Sequence, residues 1–273
     1  MTEKKIQFVI LKNTKSISLT EDKCYLNCNH CNKHYLKNMK TIKDISNLYE
    51  EGFTSFLISG GYNKVYKIPL KENFDKLIEF KKTHKIKYNI HTGLVEEKDI
   101  ETIKFLYDKV SFDLVGSEKT YKAVYNINKF NESWQSFDLL IKNGIEVVPH
   151  ITIGLNRGKI SHESEALKKL YDYKKDISEI IFLVFIPTKG SKFQNATPCK
   201  IEEVENIILE AKELFKEKTL TLGCMHPKGL YRKELQESLI GKVNKMVQPL
   251  KTTINKAKNE KYEICYSYEC CAL

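Results

Sequence analysis

The sequence predicts an α/β fold: a partial (β/α)6-type or open TIM-like barrel of parallel strands, followed by a C-terminal extension. Three observations carry this. Short strand-like apolar runs alternate with helical patterns from residue 41 onward, as βαβ units do. Several of those runs end in glycine, at Gly60-Gly61, Gly93, Gly116 and Gly154. At 273 residues, with 41% hydrophobic and 29% charged, the chain can bury a sizeable core beneath a charged surface. A doubly wound open sheet is the alternative, because periodicity does not report closure.

The elements follow in order. Residues 1–5 lead into a strand rather than an apolar leader, and the alternating run 16–20 is a strand. A helix over 44–52 stops at Gly52, and the buried strand 53–59 stops at Gly60-Gly61. Helix 71–84 is amphipathic and basic, and strand 87–91 runs into Thr92-Gly93. Helix 96–108 carries Ile100, Ile103 and Leu106 at helical spacing, and strand 110–115 stops at Gly116. Helix 131–143, strand 146–153, helix 162–173, strand 179–186, helix 201–217 and strand 220–222 complete seven strands. The alternation then fades, dividing the chain into a barrel over 1–225 and an extension over 226–273 with a cysteine-rich tail.

Charge and composition narrow the partners. Lys and Arg number 45 against 35 Asp and Glu, a net +10, but the lysines are scattered through helices. Such a spread describes a solvated surface or an acidic protein partner more than a nucleic-acid site. No apolar run approaches the roughly 18 residues of a membrane span, so the sequence reads as cytoplasmic and off the membrane. Eight cysteines in that setting point to metal or catalysis, not disulfides. Cys270-Cys271-Ala272-Leu273 formally fits a prenylation box, but no dedicated polybasic stretch precedes it.

The densest chemistry is in the loop after the first barrel strand, where Cys24, Cys28 and Cys31 stand at C-x3-C-x2-C spacing. Soft thiolates so close together select iron–sulfur or zinc. Zinc would need a fourth ligand such as His30 or His34, and three unrelated buried cysteines are the bland reading. A four-iron cubane held by three cysteines keeps one iron open. Polar groups recur at the ends of later strands, in His91, Asp113 and His150. Singly each reads as a hydrogen-bonded core residue, whereas together they converge on one cavity.

The cysteine spacing resembles the signature of the radical SAM superfamily, and the likeness extends over roughly residues 15–225. In that family three cysteines hold a [4Fe-4S] cluster whose open iron binds S-adenosyl-L-methionine (SAM), and the reduced cluster cleaves it to a 5′-deoxyadenosyl radical. The resemblance implies that Gly60-Gly61 contacts the SAM amino group, with Tyr62 standing where the family has Glu. It further implies an apolar adenine contact at Ile186-Pro187, a fifth-strand glycine at Gly154, and His91, Asp113 and His150 lining SAM or substrate. A reduced ferredoxin or flavodoxin is the implied electron donor.

A narrower resemblance rests on residues 57–61, 89–95, 148–150, 223–225 and 269–273. They are similar to archaeal-type radical SAM proteins related to two-subunit lipoyl synthases and, more distantly, biotin synthase. That likeness implies hydrogen abstraction from an unactivated carbon, with sulfur insertion into a carrier-protein substrate beside a second subunit. A radical SAM methyltransferase or mutase, and a non-catalytic iron–sulfur subunit, remain alternatives. One-chain lipoyl synthases carry an extra N-terminal cysteine motif, which is missing before Cys24. A second cluster is expected on Cys224, Cys265, Cys270 and Cys271, with a disulfide or sulfur relay as its rival, while Cys199 reads as a small apolar residue.

Overall fold

The computed structural model describes residues 4–273; Met1, Thr2 and Glu3, which belong to the N-terminal reading, lie outside the described residues. Among the described residues eleven strands form one sheet, and every named pair is parallel. They are β1 (Lys5–Val9), β2 (Thr14–Ser18), β3 (Lys40–Thr41), β4 (Ser55–Ser59), β5 (Lys87–His91), β6 (Lys109–Asp113), β7 (Val147–Ile153), β8 (Glu179–Val184), β9 (Thr219–Leu222), β10 (Lys245–Val247) and β11 (Glu263–Ser267). Their order is β11-β1-β10-β9-β8-β7-β6-β5-β4-β2-β3. Helices α1 (Ile45–Glu50), α2 (Phe74–Thr83), α3 (Glu97–Leu106), α4 (Glu118–Tyr125), α5 (Phe130–Lys142), α6 (Glu163–Tyr171), α7 (Ile201–Leu214), α8 (Leu230–Ser238) and α9 (Lys251–Asn259) supply the crossovers.

This sheet is curled, which settles the choice between partial barrel and open sheet. β1 and β2 lie near opposite ends of the strand order, yet only residues 10–13 join them. Such a connection reaches at most about 18 Å. The amides of Lys12 and Asn13 donate to the Tyr268 carbonyl just past β11, at 3.2 and 2.9 Å. The Asn13 carbonyl in turn accepts from Thr54 and Ser55 at the start of β4, at 3.1 and 3.0 Å. One short segment thus staples the two sides of the sheet together.

Strand alternation separates two layers. Phe56, Ile58, Tyr88, Ile90, Phe112, Ile151 and Phe182 face the helices in one large core. Residues between them face the lumen, which is unusually polar: Ser18, Ser59, Asn89, His91, Ser111, Asp113 and His150. A smaller apolar cluster, centred on Val9, Val148, Ile181 and Val247, fills the lower lumen with Cys271 and Ala272.

Two expectations change. The alternation does not fade after residue 225: α8, β10, α9 and β11 are two further helix–strand units, and β10 and β11 flank β1 in the same sheet. Their short or half-exposed strands carry no continuous apolar run, so periodicity passes over them. α4 was also unforeseen. The Ser117 side chain caps it by accepting from the Thr120 amide, and Asn126 ends it in the left-handed region. No helix among the described residues is long and apolar enough to cross a membrane.

Candidate metal centre

The cysteine loop leaves β2 at the C-terminal edge of the sheet, the edge where barrels place their chemistry. The segment after β4 shapes it. The Gly61 amide donates to Thr20 Oγ1 at 2.6 Å, the Tyr62 amide to Cys24 Sγ at 3.3 Å, and the Tyr25 amide to the Tyr62 carbonyl at 2.7 Å. A Cβ on Gly61 would lie 2.0 Å from the Lys23 carbonyl oxygen and 2.6 Å from Cys24 Cα. No side chain fits there. At Gly60 a Cβ would meet Thr20 Oγ1 at 3.1 Å and the Leu19 amide nitrogen at 3.2 Å. The glycine pair therefore has a structural task of its own, letting the cysteine loop lie directly on the end of β4.

Other elements hold the remainder of the loop. Asn29 is buried; its amide donates to the Val124 carbonyl (2.8 Å) and its Nδ2 to the Ala123 carbonyl (2.8 Å) at the end of α4. The Phe193 amide donates to the Asn29 carbonyl (3.0 Å), Asn32 Nδ2 to the Gly190 carbonyl (2.8 Å), and Tyr35 meets Thr188 at 3.0 Å. The β8 exit loop, which contains Ile186 and Pro187, thus also holds the cysteine loop. Asn29 was not foreseen, although a small polar residue between two cysteines is a suitable loop anchor.

Cys28 and Cys31 lie together with His30: one ligand atom from each falls within 4.8 Å of the others. The Cys28 thiol hydrogen-bonds Cys31, which pushes Cys28 up, and burial adds to this. Cys31 is drawn down to about 7 by that same contact. Cys24 is near enough to raise Cys28 through its charge. His30 Nδ1 is buried with no hydrogen-bond partner among the described residues. Burial holds His30 down to about 4, so its imidazole is neutral near pH 7.

Behind the cysteines the lumen gathers the predicted polar groups. Tyr62, His91 and Asp113 line one cavity with Leu26, Tyr121 and Tyr125. Ser59 Oγ and His91 Nδ1 are 3.2 Å apart, and the His91 and His150 rings meet edge to face at 6.3 Å. Burial pushes His91 down, and His150 down to about 4. Asp113 is exposed to the open cavity although it ends a barrel strand. Tyr121 and Tyr125 come from α4, a helix that periodicity had not marked, so they were not foreseen. Gly154 lies apart from this group: its amide donates to Glu163 Oε1 at 2.7 Å, and Cys199 packs against it.

The tail cysteines divide. Cys224, Cys270 and Cys271 meet inside the barrel, with Cys270 and Cys271 sulfurs 3.8 Å apart and Cys271 hydrogen-bonded to Cys224. Cys265 does not join them. It is exposed on β11, where its sulfur faces the Ile6 carbonyl at 3.8 Å, because one strand position decides which face a side chain takes.

The fold defined here is a parallel partial barrel, and solved structures share it. The hydrogenase maturase HydG from Carboxydothermus hydrogenoformans matches with TM-score 0.66 at 16% identity, over 89% of this chain and 59% of that one. Methylornithine synthase PylB matches with TM-score 0.63 at 12% identity, over 90% and 73%. SuiB from Streptococcus suis bound to S-adenosylmethionine matches with TM-score 0.59 at 15% identity, over 87% and 58%. The chain spans 57–59% of the length of the two HydG structures it matches. No protein-family model and no curated protein matches the sequence.

Proposed function

We propose that this chain is a radical SAM enzyme, with Cys24, Cys28 and Cys31 holding a [4Fe-4S] cluster. The observation that carries this reading is the placement of one loop's three thiols, Cys28 and Cys31 clustered and Cys24 near them, at the C-terminal mouth of a parallel barrel, above a polar lumen open to solvent at Asp113. The donor set fits: soft sulfur ligands, one short of the four a cubane uses. When bound, such a cluster supplies the electron that cleaves SAM to a 5′-deoxyadenosyl radical. The chain's own residues hold, orient and shield. The Tyr62 amide and the burial of Leu26 restrain the loop, while Gly60, Gly61, Tyr62, Ile186 and Pro187 would border SAM. His91, Asp113 and His150 present polar atoms to substrate deeper in the lumen.

The finer assignment is hydrogen abstraction followed by sulfur insertion in lipoyl-cofactor synthesis, with a partner subunit and a carrier-protein substrate. It is supported by the sequence segments named above. Methyl transfer or a mutase reaction would use the same cleft.

A second reading has its own support. His30 beside Cys28 and Cys31 supplies the fourth ligand that a zinc site with Cys24 would need. Anaerobic purification separates the two. The radical SAM reading expects about four irons with matching sulfide per chain, SAM-dependent 5′-deoxyadenosine on reduction, and loss of both in Cys28→Ala. Zinc that Cys28→Ala and His30→Ala release, no iron after reconstitution and no SAM cleavage would replace it with the zinc site.

A further inference from the structure

The chain's last residues enter the barrel from the end opposite the cysteine loop. Glu269 pairs with Lys87 at the start of β5 (2.9 Å). The Cys271 carbonyl accepts from Lys245 Nζ (2.9 Å), and Lys245 pairs with Glu179 at 2.7 Å; both are 8% exposed. The Leu273 amide closes a turn on the Cys270 carbonyl at 3.0 Å. This buried scaffold delivers Cys270 and Cys271 to Cys224, which follows β9.

We propose that Cys224, Cys270 and Cys271 form a second metal site, which takes a single thiophilic ion on the floor of the barrel. Cys271 contacts both other thiols, and the three sulfurs, not all within 4.8 Å of one another as they stand, are a soft donor set in a largely buried lumen that a bound ion would draw together. Two sulfurs on one tetrahedral ion with metal–sulfur bonds of about 2.3 Å stand about 3.8 Å apart. That is the separation of Cys270 and Cys271.

An independent feature points to an anionic sulfur. Asn89 Nδ2 donates to Cys270 Sγ at 3.2 Å, and Ser111 Oγ fixes that amide by donating to Asn89 Oδ1 at 2.9 Å. Thiols packed only as apolar filling have no use for an oriented amide donor. Metal–thiolate sulfurs do, because such second partners tune and orient the ligand.

Binding replaces S–H protons with metal–sulfur bonds, so uptake releases protons to the buffer, with no redox change. Three protein ligands leave one position for water or substrate. Asn89 and Val148 each precede a lumen-facing histidine, His91 and His150, by two residues on the same strand face. The ion would therefore sit about 7 Å below that pair, facing the same cavity. Its ligands belong to other elements than the first loop, so it stands whichever metal that loop holds.

The test uses the full chain carrying Cys24→Ala, Cys28→Ala and Cys31→Ala, kept reduced and loaded in separate arms with zinc(II), copper(I), or iron with sulfide. Expected are about one zinc or copper per chain retained through desalting, a higher thermal midpoint, and protection of Cys224, Cys270 and Cys271 from alkylation. Cys271→Ser and Asn89→Leu in that background should weaken binding by roughly 10–100-fold, and Cys265→Ser should not. Iron and sulfide taken up as a cluster on the same thiols overturns the single-ion assignment. A folded variant that retains nothing in any arm overturns the site. Should the triple variant not fold, Cys271→Ser alone must lower the zinc bound by the wild-type chain by about one equivalent, and unchanged zinc overturns the proposal.

Discussion

The molecule gathers thiols twice, at the mouth and at the floor of the barrel, by opposite means. At the mouth, Cys24, Cys28 and Cys31 belong to one loop and are placed by backbone contacts: the Gly61 fit, the Tyr62 amide, and the Asn29 hydrogen bonds. At the floor, Cys224 and the Cys270-Cys271 pair come from distant parts of the chain and are placed by a buried ion pair and a packed apolar cluster. A local loop can be read from spacing. A floor assembled from two chain segments cannot, and Cys265 shows why: crowded with the tail cysteines in sequence, it faces away from them in space.

The contrast can be broken most sharply at Lys245. Lys245→Met leaves Glu179 buried without its cation, and removing one partner of a buried pair costs about 3–5 kcal/mol. Denaturant unfolding should show that loss, with faster alkylation of Cys270 and Cys271 and little change at the mouth. A loss under about 1 kcal/mol would mean that packing, not the ion pair, holds the floor.

Acid probes the layer between the two groups. His150 is 6% exposed and held down to about 4 by burial, against about 6.5 when unfolded. The unfolded chain then binds more protons between these values, so stability rises with pH through that window. The contribution is complete above about pH 6.5 and is lost as pH falls toward 4, on the order of 3 kcal/mol in all. His150→Gln should flatten the pH dependence of unfolding between 4 and 6.5. An unchanged slope would assign the acid sensitivity to another group.

At the mouth, Gly61→Ala forces a methyl group into the Lys23 carbonyl. Overpacking of this kind costs about 1–3 kcal/mol, and iron retention should drop with it because the loop carrying Cys24 must shift. Normal stability and normal iron content together would show that the loop is more compliant than its contacts indicate. The smallest effect belongs to Cys265→Ser, an exposed change expected to stay within about 0.5 kcal/mol and to leave metal content unchanged. A measurable metal loss would return Cys265 to the floor site and erase the distinction between the tail cysteines.

The sequence by itself determined the strand–helix alternation through β9, the lumen-facing histidines and aspartate, and the mouth cysteines. Each of these is written in short-range order: period two in strands, 3.6 in helices, and thiols on one loop. The tertiary structure decided the rest. It added β10 and β11 beside β1, explained Gly61 by the cysteine loop lying on it, brought Tyr121 and Tyr125 in from α4, and seated Cys271 against Cys224. Sheet closure brings residues 10–13 between Tyr268 and Thr54, and from that closure follows the inward course of the tail. Contacts between such distant segments depend on how the whole sheet curls, and local spacing carries no record of that curl.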